Sequence, residues 1–499
     1  MFSVKIMLNE TDLGYIIVIM MFWLNCYRPS CNYGNIYMDV AYFKSLLIAA
    51  ICVSMTTGCS SLMQQIVFNS FEEKITTGDY QKASDYALKQ AGFDKKNQKT
   101  ADLLWSLQAG AALNFAGNYA LSTDLLDISE AKIKSEDLEN IAIKSAETAG
   151  SILGNDALLD YEPTYYDGVM ANTYKAWNFL FDGKYNDARV ELNRAEERQR
   201  RAVEHFANKI KAQQKTLKKE DKASNAKLTK SMSSSAMNRQ LANAGIKQNV
   251  WAPYKGYVNP FTTYTYGLNL LVNAKGRSDY QKAAKSFERV YGITKSKTVK
   301  QDMALAQDLS RGKNLNKKYI WVILENGQSI AKEEVRVDLP IYLVNDNISY
   351  AGIALPKLKP RNSGVKAISV GKYKTQKVAD MDQIIGSEFD IEFPYILARE
   401  ITRSTLKTIA QKQIKDSNSI VGDIFSLGQI LTTSADIRSF TALPKEYQVM
   451  RLPKDSNEIE IKSGNYKIPV LLDDKAVNHI VYVKVINPLV RPTVKVVNL

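Results

Sequence analysis

The chain has 499 residues, 45% of them hydrophobic, which is enough for two or three ordinary globular domains. Its 66 Lys and Arg against 52 Asp and Glu leave a formal charge of +14, which favours anionic partners: nucleic acid, phospholipid headgroups, lipopolysaccharide or acidic proteins. The only histidines, His205 and His479, sit in unrelated contexts and no cysteine follows Cys59, so a His- or Cys-built metal centre is excluded.

In chain order, the first apolar run, Tyr15 to Leu24, is too short to cross a hydrocarbon layer of about 30 Å as a helix. A second, "SLLIAAICVSM" (Ser45 to Met55), follows Lys44 and leads into "TTGCSS". Read from Met38, residues 38–58 form a compact export signal: a short head, an apolar core, then the small residues Thr57 and Gly58 before Cys59. On that reading residues 1–37 are an upstream extension, and Cys26, Cys31 and Cys52 are absent from the mature protein. Export removes nucleic acid from the expected partners.

This segment resembles the lipobox of bacterial lipoproteins, with Thr56 standing where that pattern has Leu. The resemblance implies cleavage between Gly58 and Cys59, acylation of the Cys59 thiol and new amine, and, from Ser60, sorting to the periplasmic face of the outer membrane. Acyl chains contribute about 0.8 kcal/mol per buried CH₂, so two or three anchor a protein durably. The competing reading is an ordinary signal or uncleaved anchor with a chance cysteine.

From Cys59 to about residue 312 the periodicity is helical. "GDYQKA" (Gly78 to Ala83), "GNYALS" (Gly117 to Ser122), "GKYNDA" (Gly183 to Ala188) and "SDYQKA" (Ser278 to Ala283) share one punctuation: a turn residue, Tyr two positions later, and a small residue three further on. That spacing resembles the tetratricopeptide (TPR) repeat, and Gly110, Leu113, Leu126, Ala176, Phe179, Leu192 and Ala195 fall at its small and large core positions. The copies are irregularly spaced, so the expectation is an all-α TPR-like array with insertions; a non-repetitive bundle is the alternative. Either leaves a grooved face suited to binding.

The largest insertion, about 207–250, contains the lysine-rich segment Lys209 to Lys230 and reads as an exposed helix fraying into a basic loop. It is either a solvated charged face or a contact for anionic lipid or glycan. Upstream, Tyr174, Trp177 and Leu180 have helical core spacing, whereas Tyr165 and Tyr166, between Pro163 and Gly168, are expected in a loop, packed or binding a sugar or peptide.

After residue 318 the pattern turns to strands. "YIWVILENG", "EVRVDLPIYLV", "SYAGIALP", "YQVMRLP", "NEIEIKSGNYKIPVLLDD" and "HIVYVKVI" are strand runs, with a hairpin expected around "DDKAVN". Helices are expected at Tyr395 to Ile414 and Gly422 to Leu431, giving a second, β-rich α+β domain over 318–499. The string "TSADIRSFTALPKEYQVMRLP" (Thr433 to Pro453), with "ANTYKAWNFLFDGKYNDARVELNRAEERQ" upstream, resembles a family of bacterial envelope lipoproteins that join a TPR-like domain to a β-rich domain; Phe440 stands where that signature has Trp. The resemblance implies an envelope role and no particular reaction. Asp436 and Arg438 are expected to pair with each other, with Arg403 or with Arg451, as a structural ion pair or a partner-binding spot.

Ser404 to Lys407 (Ser-x-x-Lys) and Lys462 to Gly464 (Lys-Ser-Gly) match fragments of the penicillin-recognising serine enzymes, but too few residues separate them for that fold. No Gly-x-Ser-x-Gly, phosphate loop or His-Glu-x-x-His is present. The expectation is therefore a non-enzymatic protein-binding scaffold with no cofactor and no metal, anchored by Cys59. A peptidoglycan- or lipopolysaccharide-binding module and an unrecognised cell-wall hydrolase are the alternatives.

Overall fold

The computed structural model describes residues 64–139, 160–218, 232–313, 317–340, 350–361, 363–417 and 434–499. Cys59 and Gly58, residues 219–230 of the lysine-rich segment and the helix expected over 422–431 lie outside them.

Helices come first. α1 (64–76), α2 (Tyr80–Gln90), α3 (Leu103–Ala116), α4 (Tyr119–Glu139), α5 (Tyr165–Phe181) and α6 (Tyr185–Lys218) precede α7 (Ser235–Asn243), α8 (Pro260–Val272), α9 (Arg277–Thr294) and α10 (Lys297–Ser310). Three of the four punctuation motifs are tight helix-to-helix turns, with Gly78, Gly117 and Gly183 left-handed at φ 77°, 84° and 71°. A side chain there would strain the turn. The fourth departs from expectation: Ser278 lies inside the first turn of α9, and Gly276 precedes that helix. Close approach across the α3–α4 hairpin depends on Gly110, where an added Cβ would meet Leu126 at 2.6 Å. Its carbonyl also accepts the Ser122 hydroxyl at 2.7 Å.

The strands are β1 (Tyr319–Asn326), β2 (Ala331–Pro340), β3 (Tyr350–Lys359), β4 (Ser369–Val370), β5 (Tyr373–Lys374), β6 (Gln376–Asp380), β7 (Glu446–Pro453), β8 (Glu458–Ser463), β9 (Tyr466–Leu471), β10 (His479–Val485) and β11 (Thr493–Asn498), with α11 (Met381–Ser417) between β6 and β7. A five-stranded sheet has the order β11-β10-β1-β7-β6, a four-stranded sheet the order β5-β4-β8-β9, and β2–β3 form a separate hairpin. β1 and β10 are parallel, and their neighbours are antiparallel. The hairpin expected around "DDKAVN" is absent. β9 pairs with β8 in the smaller sheet, and β10 crosses to the larger one.

The five-stranded sheet is covered on both faces, which explains the unbroken apolar run of β1. Trp321, Ile323, Tyr447, Val449, Ile480 and Tyr482 face the helices and share one core with them. Ile320, Val322, Leu324, Met450, Val481 and Val483 pack against Ile459, Ile461, Ile468 and Val470 of the smaller sheet. The helical and β-rich regions thus meet in a shared core, and the boundary near residue 312 marks a change of element type rather than a gap between cores.

α11 starts well before the expected Tyr395, because Ile385, Phe389, Phe393, Leu397 and Ile401 form a buried stripe along it. Burying that stripe outweighs the cost of about 3 kcal/mol for the interior Pro394. Its stretch from Phe389 to Ile401 packs with α7 and the β2–β3 hairpin in a satellite cluster.

Candidate functional site

The inner face of the helices, where a groove was expected, is filled by the protein's own sheet. Phe261 of α8 stacks on Tyr447 at 3.5 Å, and Trp177 of α5 meets Tyr482 at 4.6 Å. A peptide partner therefore has no access to this face, because the chain satisfies it internally.

Charges buried at that junction are paired. Glu325 of β1 stands opposite Lys484 of β10 and Tyr447 of β7 in register. Its carboxylate accepts Lys484 Nζ at 2.6 Å, Tyr482 OH at 2.6 Å and Tyr174 OH at 3.1 Å. Burial lowers the Lys484 pKa, with Glu325 opposing that shift, and raises those of Tyr174, Tyr447 and Tyr482 far above 10. The Lys484 ammonium also lies 3.3 Å from the Phe115 ring centroid. A second cluster sits among α4, α5 and α6, where the buried Lys175 meets Asp127, Glu130 and Glu191 at 2.5, 2.8 and 2.9 Å. Burial alone would raise Glu130, but its bonds to Lys175 and Lys134 outweigh that and bring it down to about 2.

Of the pairings expected for these charges, the local one forms. Arg438 pairs with Asp436 through two bonds of 2.9 Å. Arg451 instead binds Asp302 of α10 at 3.0 Å, and Asp302 also accepts Trp321 Nε1 and Tyr264 OH. Arg403 pairs with Glu400 one turn away on α11. The signature segment is itself a connector: Gln108 of α3 donates to the Ser439 carbonyl at 3.1 Å and accepts from Ala442 N–H, while Phe440 and Leu443 are core residues. Ser404 lies on α11 and Lys462 is exposed in β8, at the register position opposite Lys467 of β9.

Tyr165 and Tyr166 are not in a loop. They open α5, with Thr164 as its N-cap and the Thr164 N–H accepted by the Asp167 carboxylate three residues on, and this outweighs the turn signals of Pro163 and Gly168. Glu388 of α11 accepts the Tyr165 N–H at 2.7 Å, placing a carboxylate at the positive helix end. Asp167 accepts Tyr161 OH at 2.7 Å and Thr164 N–H at 2.8 Å through one oxygen, while its other oxygen is buried without a partner. Burial pushes its carboxyl up to about 6, against the opposing effect of those bonds.

Beside this helix start is a shallow aromatic cleft of about 390 Å³ including its open mouth, lined by Tyr165, Phe206, Tyr254, Tyr257, Ile384 and Glu388 among others. Tyr257 lies over Phe206 at 4.4 Å and is held at φ 53°, a left-handed conformation costly for a tyrosine. His205 stacks on Tyr165 at 4.9 Å, whereas His479 is buried in β10. α6 passes the cleft and runs on to Lys218, carrying the start of the lysine-rich segment.

Sequence reasoning missed Glu325, Lys484, Asp167 and Glu388. The first two had a readable signal, a single charge inside an otherwise apolar strand. Glu388 had none, since its partner is distant in sequence. No helix among the described residues is long and apolar enough to cross a membrane. No protein-family model, curated protein or solved structure matches the chain.

Proposed function

We propose that this chain is a lipid-anchored binding protein of the bacterial envelope, held at the periplasmic face of the outer membrane by acylated Cys59, with a TPR-like helical frame. The observation that supports the reading is in the sequence: the apolar run Ser45 to Met55 leads directly into Thr57, Gly58 and Cys59, and every described element lies after that cysteine. Since the inner helix face is occupied, an envelope-assembly partner binds outside it. Crosslinking in intact envelopes, followed by recovery of the protein, tests this. One recurrent protein partner is expected, and recovery without a reproducible partner overturns it.

A second reading, direct binding of an anionic glycan such as lipopolysaccharide or peptidoglycan, gains from one juxtaposition. The flagged Tyr165 lines the same cleft as Phe206, on the helix that leads into Lys209–Lys230. Sedimentation with purified sacculi separates the readings, because a protein scaffold does not sediment with bare peptidoglycan.

A further inference from the structure

The up-and-down order of the first helices sorts their ends into two sets. The turns at Gly78, Gly117 and Gly183 lie towards β11 and the loop before it: Val490 is the nearest neighbour of Gly78, Lys495 of Gly117, and Tyr185 OH donates to the Asn498 carbonyl. The opposite end gathers the start of α1, the α2–α3 loop and the start of α5. Phe68 of α1 stacks at 5.1 Å on Trp105, in the first turn of α3. Arg438 lies over the Tyr161 ring, close before α5, at 5.9 Å. It also interacts electrostatically with Asp102, the N-cap of α3.

This second end leads to the anchor. Residues 60–63 separate Cys59 from the described body, and five peptide steps span at most roughly 18 Å. The α2–α3 loop there presents Lys95, Lys96 and Lys99, all exposed, with exposed Lys89 at the end of α2. The loop is a built structure. Asp94 and Lys99 form a β-bridge, and Asp94 accepts the N–H groups of Lys96 and Asn97 and the Asn97 amide. Lys132 of α4 donates to the Thr100 carbonyl at 2.8 Å. Asp94 and Asp102 are therefore engaged within the loop and its helix cap, while the three lysines point outward. α6 also runs past the start of α5 at this end by roughly three turns, to Lys218.

Resting on the anchored reading above, we infer that the α2–α3 loop is a membrane-contacting surface, with Lys95, Lys96 and Lys99 seated on the anionic phospholipid headgroups beside the Cys59 anchor. A short tether makes this contact effectively intramolecular, and the loop fixes the tilt of the body on the bilayer.

The test uses the mature chain carrying Cys59→Ser, so that no acyl chain masks the loop, and vesicles of phosphatidylethanolamine with phosphatidylglycerol. Partition onto these vesicles is expected to exceed that onto neutral phosphatidylcholine and to fall with salt. Lys95→Gln, Lys96→Gln and Lys99→Gln together should lower it about 100-fold, since each lysine near an anionic surface is worth a factor of about five. A thermal melt of the triple variant is expected to match the parent, because the replaced side chains are exposed. Equal partition of parent and variant, loss only on neutralising Lys209–Lys230, or no partition at all overturns the inference. Mass spectrometry of the wild-type N-terminus separates its failure from that of the anchored reading: an unmodified Cys59 defeats the latter whatever the vesicles show.

Discussion

The two faces of the five-stranded sheet are both buried but are built differently. The face towards the smaller sheet is aliphatic over most of its area, with Ile, Val, Leu and Met, and carries one hydrogen-bonded polar group, Asn326, Glu446 and Gln448, at one end. The face towards the helices carries large aromatics and two buried ion pairs, Glu325–Lys484 and Asp302–Arg451. Apolar burial drives both interfaces but tolerates many packings of similar volume. A buried carboxylate that must meet a lysine and two tyrosines tolerates few. The charged face thus fixes where α5 and α10 sit, and with α5 the helix start that borders the cleft.

The largest effect that breaks this comparison is expected from Lys484→Met, which leaves Glu325 buried and unpaired. A loss of about 4 kcal/mol in urea unfolding is predicted, largely restored in the Glu325→Leu, Lys484→Met double variant. On the aliphatic face, Ile461→Ala should cost about 3 kcal/mol by leaving a cavity, with no dependence on pH. If both single variants cost the same and the double variant is not rescued, the two faces do not differ as described.

The smallest effect is the sharpest in sign. Asp167 has a folded pKa of about 6, above its unfolded value of 3.8. Its contribution is therefore fully present below pH 3.8 and is lost as pH rises through 6. Between pH 5 and 7 this amounts to about 1 kcal/mol. Asp167→Asn should flatten that part of the stability–pH curve; an unchanged slope would show that another group sets it.

Much of the architecture was readable because it rests on local signals. Tight turns at Gly78, Gly117 and Gly183 need left-handed backbone, and the apolar strand runs need two-sided burial. What was not readable depended on distant pairing. "DDKAVN" has hairpin chemistry, but no local feature says that β10 leaves for β1 in another sheet. Pro163 and Gly168 suggested a loop, while the weaker signal between them, Thr164 three residues before Asp167, starts a helix. Arg451 was visible as a charge in a strand, but its partner Asp302 lies on α10, far away in sequence. The loop carrying Lys95, Lys96 and Lys99 had no signal that singled it out in the sequence; only the helix order shows that it shares an end of the body with the start of α1.

The central claim is attachment through Cys59, and mass spectrometry of the mature N-terminus from membranes tests it most directly. The account predicts a wild-type chain that begins at Cys59 carrying diacylglyceryl and an N-acyl group, with both lost in Cys59→Ala. A soluble wild-type chain with an unmodified cysteine would contradict it.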